Sequence, residues 1–135
     1  MKPCYTSVMG KQYSEISNTL QDFIKAQKIY FVATAAKDGR VNVSPKGMDS
    51  FRILDKNKVA WLNLTGSGNE TAAHLLDINR MTIMFCDFND RPMILRLYGT
   101  ADVIHTKDAV WMEKAALFPE MAGSRQIFEM TVDLV

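Results

Sequence analysis

Apolar and polar residues alternate along this chain in several short runs, and in three places the alternation gives way to a helical period. The first helical place is residues 14–26, where Ile16, Leu20, Phe23 and Ile24 share one face. Ser14 is the expected N-cap, with Glu15 in the first turn. Residues 29–35, rich in β-branched and aromatic side chains, predict a strand. Lys37-Asp38-Gly39-Arg40 then carries the Asp-Gly signal of a hairpin, so residues 41–46 return antiparallel. Alternation there sets Val41 and Val43 on one face and Asn42 and Ser44 on the other. Pro45 cannot donate to a ladder, which marks an edge or a bulge.

A short run at residues 50–54 and a turn at 55–58 lead into a strand at 59–64. After a Gly/Ser/Thr loop, residues 69–78 read as a helix that Asn79 ends. Strands follow at 81–85 and at 93–98. The latter continues to Ile104, with Gly99 at a bulge and Arg96 opposite in face to Leu95 and Leu97. Residues 107–118 predict a helix with Val110, Trp111, Ala115 and Phe118 as its stripe, closed by Pro119. Residues 126–135 alternate again, with Phe128, Met130, Val132 and Leu134 on one face. The run ends at Val135 with no polar tail, so further residues are expected to follow. Residues 1–11 carry no period and are expected to form an arm. Short strands joined by tight turns predict a mainly β, α+β fold, an antiparallel sheet or barrel of six or seven strands with flanking helices.

Composition changes this picture little. The 135 residues make one domain, 1–135, and 47% hydrophobic with 23% charged content is that of a globular chain. A net charge of +1 without basic or acidic blocks speaks against nucleic acid as partner. No apolar run reaches the ~20 residues that span a bilayer. Cys4 and Cys86 have no metal-ligand or CxxC spacing and read as free thiols, and a cytoplasmic protein is expected.

Candidate chemistry concentrates in residues 41–71. A strand, the loop Thr65-Gly66-Ser67-Gly68-Asn69-Glu70-Thr71 and a helix start, in that order, suit an anion, with Lys46 on the neighbouring strand as a mobile positive charge. The loop lacks the G-x-G-x-x-G spacing of a dinucleotide fingerprint and the G-K-[ST] ending of a P-loop. Its Ser and Asn residues equally suit helix capping. His74 and His105 read as packing or surface histidines, and no nucleophile–base pair is evident. Trp61 and Trp111 read as core or interface.

In order, the hairpin from Phe31 to Gly47, the run Val59-Ala60-Trp61-Leu62-Asn63, the loop 65–71 leading to His74-Leu75, and residues 93–99 resemble the pyridoxamine 5'-phosphate oxidase-like FMN-binding split barrels. The resemblance covers roughly residues 12–110. It implies an antiparallel six-stranded split barrel that forms a homodimer with FMN at the subunit interface. Position by position, it places Val43, Ser44 and Lys46 along the flavin and its phosphate, and Asn63 and Thr65 at the next strand's end. Ser67, Asn69, Glu70 and Thr71 match the phosphate-side loop and helix start. Family members often carry an Arg or Arg-Lys pair where this chain has Asn69-Glu70. The phosphate charge then falls to Lys46 and the helix dipole, helped by Arg96 or another arginine. The activity implied is that of an FMN-dependent oxidoreductase on a small substrate. The alternatives are a flavin-binding storage or sensor module without turnover, or a sibling barrel holding haem or a deazaflavin.

Overall fold

The computed structural model describes residues 10–66, 68–89 and 92–135. Cys4, most of the expected arm and Ser67 lie outside the described residues. The elements are α1 (Asn18–Ala26), β1 (Ile29–Thr34), β2 (Asn42–Gly47), β3 (Phe51–Asp55) and β4 (Lys58–Leu64). They continue with α2 (Gly68–Asp77), β5 (Arg80–Asp87), β6 (Met93–His105), α3 (Trp111–Ala115) and β7 (Ser124–Leu134). Every strand pairing is antiparallel, in the order β2-β1-β5-β6-β7-β4-β3, and the sheet curls into a split barrel whose open side lies between the edge strands β2 and β3. Seven strands form it rather than the six implied by the resemblance; all seven were separate runs in the sequence.

The barrel closes around Val32, Val59, Trp61, Ile83, Phe85, Leu97, Phe128 and Met130, with Ile16, Leu20 and Ile24 delivered by α1 and its entry. Trp61 and Phe128 are cross-strand neighbours whose rings stack at 4.3 Å. A second, smaller core (Ala60, Leu62, Ile104, Phe118, Ile127) fills the outer side of β4 and β7 beneath α3. Gly99 sits at the expected bulge, where the β6–β7 register shifts. A Cβ there would overlap the backbone carbonyl of Thr131, so only glycine lets the two strands approach.

Two helix boundaries differ from the sequence reading. α1 starts at Asn18 with Ser17 as its cap, accepting from the Leu20 N–H at 3.4 Å. The preceding residues are held outside the helix, with a bend at Ser14 and Glu15. Tyr13 exchanges backbone bonds with Val135, Asn57 Nδ2 donates to the Ser14 carbonyl, and the Ile16 N–H donates to Lys56. α3 spans five residues: before Trp111 the Asp108 carboxylate accepts the His105 N–H at 2.7 Å in a turn, and after Ala115 the chain closes in turns in which the Leu117 and Phe118 N–H groups donate to Lys114 and Ala115. Phe118 still reaches the core, but Val110 is exposed.

Candidate functional site

β2 is an edge strand with inverted polarity. Val43 is 60% exposed while Ser44 is 5% exposed. Asn42, Ser44 and Lys46 therefore point into the barrel, and Val41, Val43 and Pro45 point out. The inward amide of Asn42 donates to Thr34 Oγ1 (3.3 Å) and to Thr71 Oγ1 (3.0 Å). Thr34 in turn meets His74 Nδ1 at 3.1 Å, and His74 Nε2 lies 3.9 Å from Glu70. This buried polar chain clamps α2 to β1 and β2. It explains why a helix with a modest apolar face stays docked, since each buried hydroxyl has a partner.

Further along β2, Lys46 sits half-buried with its ammonium 5.1 Å above the Trp61 ring. Burial holds its pKa below the ordinary lysine value. Among the described residues it has no carboxylate partner. It lines a cavity of about 260 Å³ together with Pro45, Gly47, Ser50, Asn63, Thr65 and Gly66. Asn63 donates to the Gln126 side chain at 3.0 Å, and its side chain fills the space a Cβ on Gly68 would need. The end of β4, the start of α2 and the start of β7 are thereby locked into one corner. Asn69 accepts from Arg125 Nη2 at 2.8 Å.

The structure thus brings Lys46, Asn63 and Thr65 onto one cavity, with Asn69 at the adjoining helix start. Thr71 is fully buried on the Asn42 network, Glu70 turns along α2 toward His74, and Val43 faces outward. Ser67 lies outside the described residues. Arg96 stands on the outer face of β6 opposite Met84, away from this cavity. Arg125, Gln126 and Asn42 join the site or its support without having been singled out in the sequence. Asn42 alternates with Ser44 and was the one legible signal.

The outer face of β2-β1-β5-β6 is the second notable surface. Register sets Val43 beside Ala33, Phe31 between Pro45 and Met84, and Ile94 beside Cys86. Ile29, Val41, Val43, Ile94 and Tyr98 are all exposed on it. Across the barrel, a cavity of about 690 Å³ lies under α3 between Trp111, Phe118, Met121 and Leu62. Leu62 lines this cavity and the Lys46 cavity alike.

The family model described as pyridoxamine 5'-phosphate oxidase matches residues 16–135. The chain belongs to the pyridoxamine 5'-phosphate oxidase family. A curated relative, the pyridoxamine 5'-phosphate oxidase family protein ustO of Aspergillus flavus, is 44% identical over 99 residues, 71% of this chain and 40% of the relative. The chain thus spans less than half of that relative's length. Among solved structures, a putative pyridoxamine 5'-phosphate oxidase from Lactobacillus delbrueckii superposes with a TM-score of 0.71 at 18% identity, covering 91% of this chain and 95% of that one. HutZ, a heme storage protein from Vibrio cholerae, gives 0.62 at 17% identity, covering 89% and 93%. An FMN-binding protein from Syntrophomonas wolfei gives 0.53 at 12%, covering 78% and 74%. At these identities the structural likeness speaks for the fold alone. No described helix is long and apolar enough to cross a membrane, and no cluster of three or more potential metal ligands occurs among the described residues.

Proposed function

We propose that this protein binds FMN in the Lys46 cavity and acts, as a cytoplasmic homodimer, as a flavin-dependent oxidoreductase on a small substrate. One observation carries the reading: a half-buried ammonium with no anionic partner among the described residues, held in a cavity at the end of two strands beside a helix start. A desolvated cation in such a place is stabilised by an anionic ligand, and in this family fold FMN carries the anion. The residues present fit the group. Lys46 faces a phosphate, Thr65 and the backbone of Gly66 line the same cavity, and Ser44 Oγ is a buried hydroxyl with no partner among the described residues.

The cavity is smaller than the ~300–1,000 Å³ usual for a cofactor pocket, which suits half of a shared site. Pro45 lines it and also belongs to the exposed apolar face, so a second copy docked on Val41, Val43, Ile94 and Tyr98 closes the other half. Bound FMN supplies the redox chemistry, taking hydride or electrons at its N5. The chain balances the phosphate charge through Lys46 and holds the corner rigid through Asn63 and Gln126. No described side chain pairs as acid and base at the cavity, so the protein's part is binding and orientation.

The purified protein is expected to be yellow, to release a molecule of FMN mass, and to be reduced by a nicotinamide donor. It is expected to sediment as a dimer that Val43→Lys converts to monomer. A colourless protein that ignores added FMN overturns the flavin reading, and a Soret band instead assigns haem. Retention of the dimer by Val43→Lys moves the interface elsewhere.

A further inference from the structure

The start of α2 carries Asn69 and Glu70, neither of them cationic, and a phosphate dianion needs more than one lysine to balance it. Along the β4–β7 ladder, Asn63 faces Gln126 but Leu64 faces Ser124, so Arg125 is the extra residue of a β-bulge. A bulge releases its residue from strict alternation and re-aims the side chain. Here the guanidinium swings to α2, where Nη2 donates to Asn69 Oδ1 at 2.8 Å. The hydrogen bond uses one of five N–H donors. Arg125 meets no carboxylate within 4.0 Å among the described residues, so its charge is not neutralised by them.

Its backbone position is equally fixed. Gln126, the next residue, is bonded to Asn63, and Asn63 both lines the Lys46 cavity and packs against Gly68, the first residue of α2. Lys46 lines the cavity from β2, and Arg125, at the β7 bulge, is bonded to Asn69 at the start of α2. The carboxylate in the first turn of α2, Glu70, is directed toward His74. We propose that Arg125 is the second phosphate cation of the cofactor site, replacing from β7 the basic residues absent from the helix start. The proposal rests on the FMN reading above. Arg125 is suited to the task because its planar fork grips two phosphate oxygens at once, which a lysine cannot do.

The test compares FMN with riboflavin, which has the same ring and no phosphate, by fluorescence titration. Arg125→Gln keeps a donor for Asn69 while removing the charge. It is expected to weaken FMN about tenfold or more and to leave riboflavin unchanged. Arg125→Ala, checked for folding by circular dichroism, is expected to behave alike, and Arg125→Lys to recover part of the loss. The wild-type preference for FMN is also expected to fall with added salt, and to fall less in Arg125→Gln. If the wild type binds FMN and Arg125→Gln shows the same FMN-to-riboflavin ratio, Arg125 is not a phosphate ligand while the flavin site stands. If the wild type binds neither, the flavin reading itself fails and the proposal falls with it.

Discussion

A binding charge held in the wrong solvent should cost stability, and Lys46→Met measures this directly. Methionine keeps the unbranched stem that covers Trp61 and removes the ammonium 5.1 Å from its ring. Loss of the cation–π attraction costs about 0.5–1 kcal/mol, and the sulfur–aromatic attraction that replaces it returns about 0.3–1.5 kcal/mol. These nearly cancel. What remains is the desolvation of the charge, the cause of its lowered pKa. Because half of the side chain keeps its hydration, relief is held to about 1 kcal/mol. Ligand-free Lys46→Met is therefore expected to melt at or above the wild-type temperature, by roughly 4 °C at most. FMN affinity is expected to drop about 10- to 150-fold, the worth of one charge-assisted hydrogen bond.

The pH dependence gives an independent sign. Below the lowered folded pKa, Lys46 is protonated in both the folded and the unfolded state, and the folded state bears the full penalty. As pH rises through the lowered folded pKa toward the ordinary 10.5, the folded state sheds its proton first and the penalty fades. The melting-temperature gap between variant and wild type should thus close in alkali. Calorimetry across that range, with FMN titration at neutral pH, decides the matter. A variant that loses several degrees and binds FMN normally would make Lys46 a structural cap on Trp61 and refute the reasoning.

Three further outcomes follow from the packing. Thr71→Val removes one acceptor of Asn42, which keeps Thr34; urea unfolding should show a loss of about 1 kcal/mol with the FMN-to-riboflavin ratio unchanged, whereas a lost ratio at full stability would make Thr71 a ligand. Gly99→Val places a Cβ on the Thr131 carbonyl and should cost about 3 kcal/mol or more, so a wild-type melting curve would contradict the bulge. For Glu129, burial raises the pKa, but the hydrogen bond and charge of Lys114, with Lys58, outweigh it and leave the carboxyl below its ordinary 4.5. The stabilisation from this pair is present above that value and lost as pH falls through the lowered folded pKa. Lys114→Met should shift the onset of acid unfolding to higher pH, and identical acid limbs would refute the coupling.

What was legible in the sequence follows from the range of the interactions. The strands were written in local alternation or in short apolar and β-branched runs, and the hairpin through Gly39 (φ +101°) in a local dipeptide. The start of α1 was not local. Ser14 has the right chemistry for a cap, but its carbonyl is taken by Asn57, 43 residues away, and Ile16 is buried in the core ahead of the helix. α3 likewise had a full stripe on paper, and turns on both sides of it, the Asp108 bond in the first, hold it to five residues. Arg125 was illegible for the same reason. A bulge exists only in the count of residues between two paired strands, and β4 lies some 60 positions away from β7.

The inversion of β2 shows where local pattern and function part. Alternation divides residues 41–46 into two faces without saying which lies inside. On hydrophobicity alone the valines belong inside. Burying Asn42, however, lets one amide tie Thr34 on β1 to Thr71 on α2, and it carries Lys46, further along the same face, into the cavity beside Asn63. The opposite register would have put Val41 and Val43 in the barrel and Lys46 in bulk water, where an unpaired lysine contributes nothing to a site. The exposed valines are the other half of that choice. They join an outer face that also exposes Ile94 and Tyr98, with Arg96 between those two, and under the proposed dimer the surface left uncovered by polarity inversion is the surface that the second subunit covers.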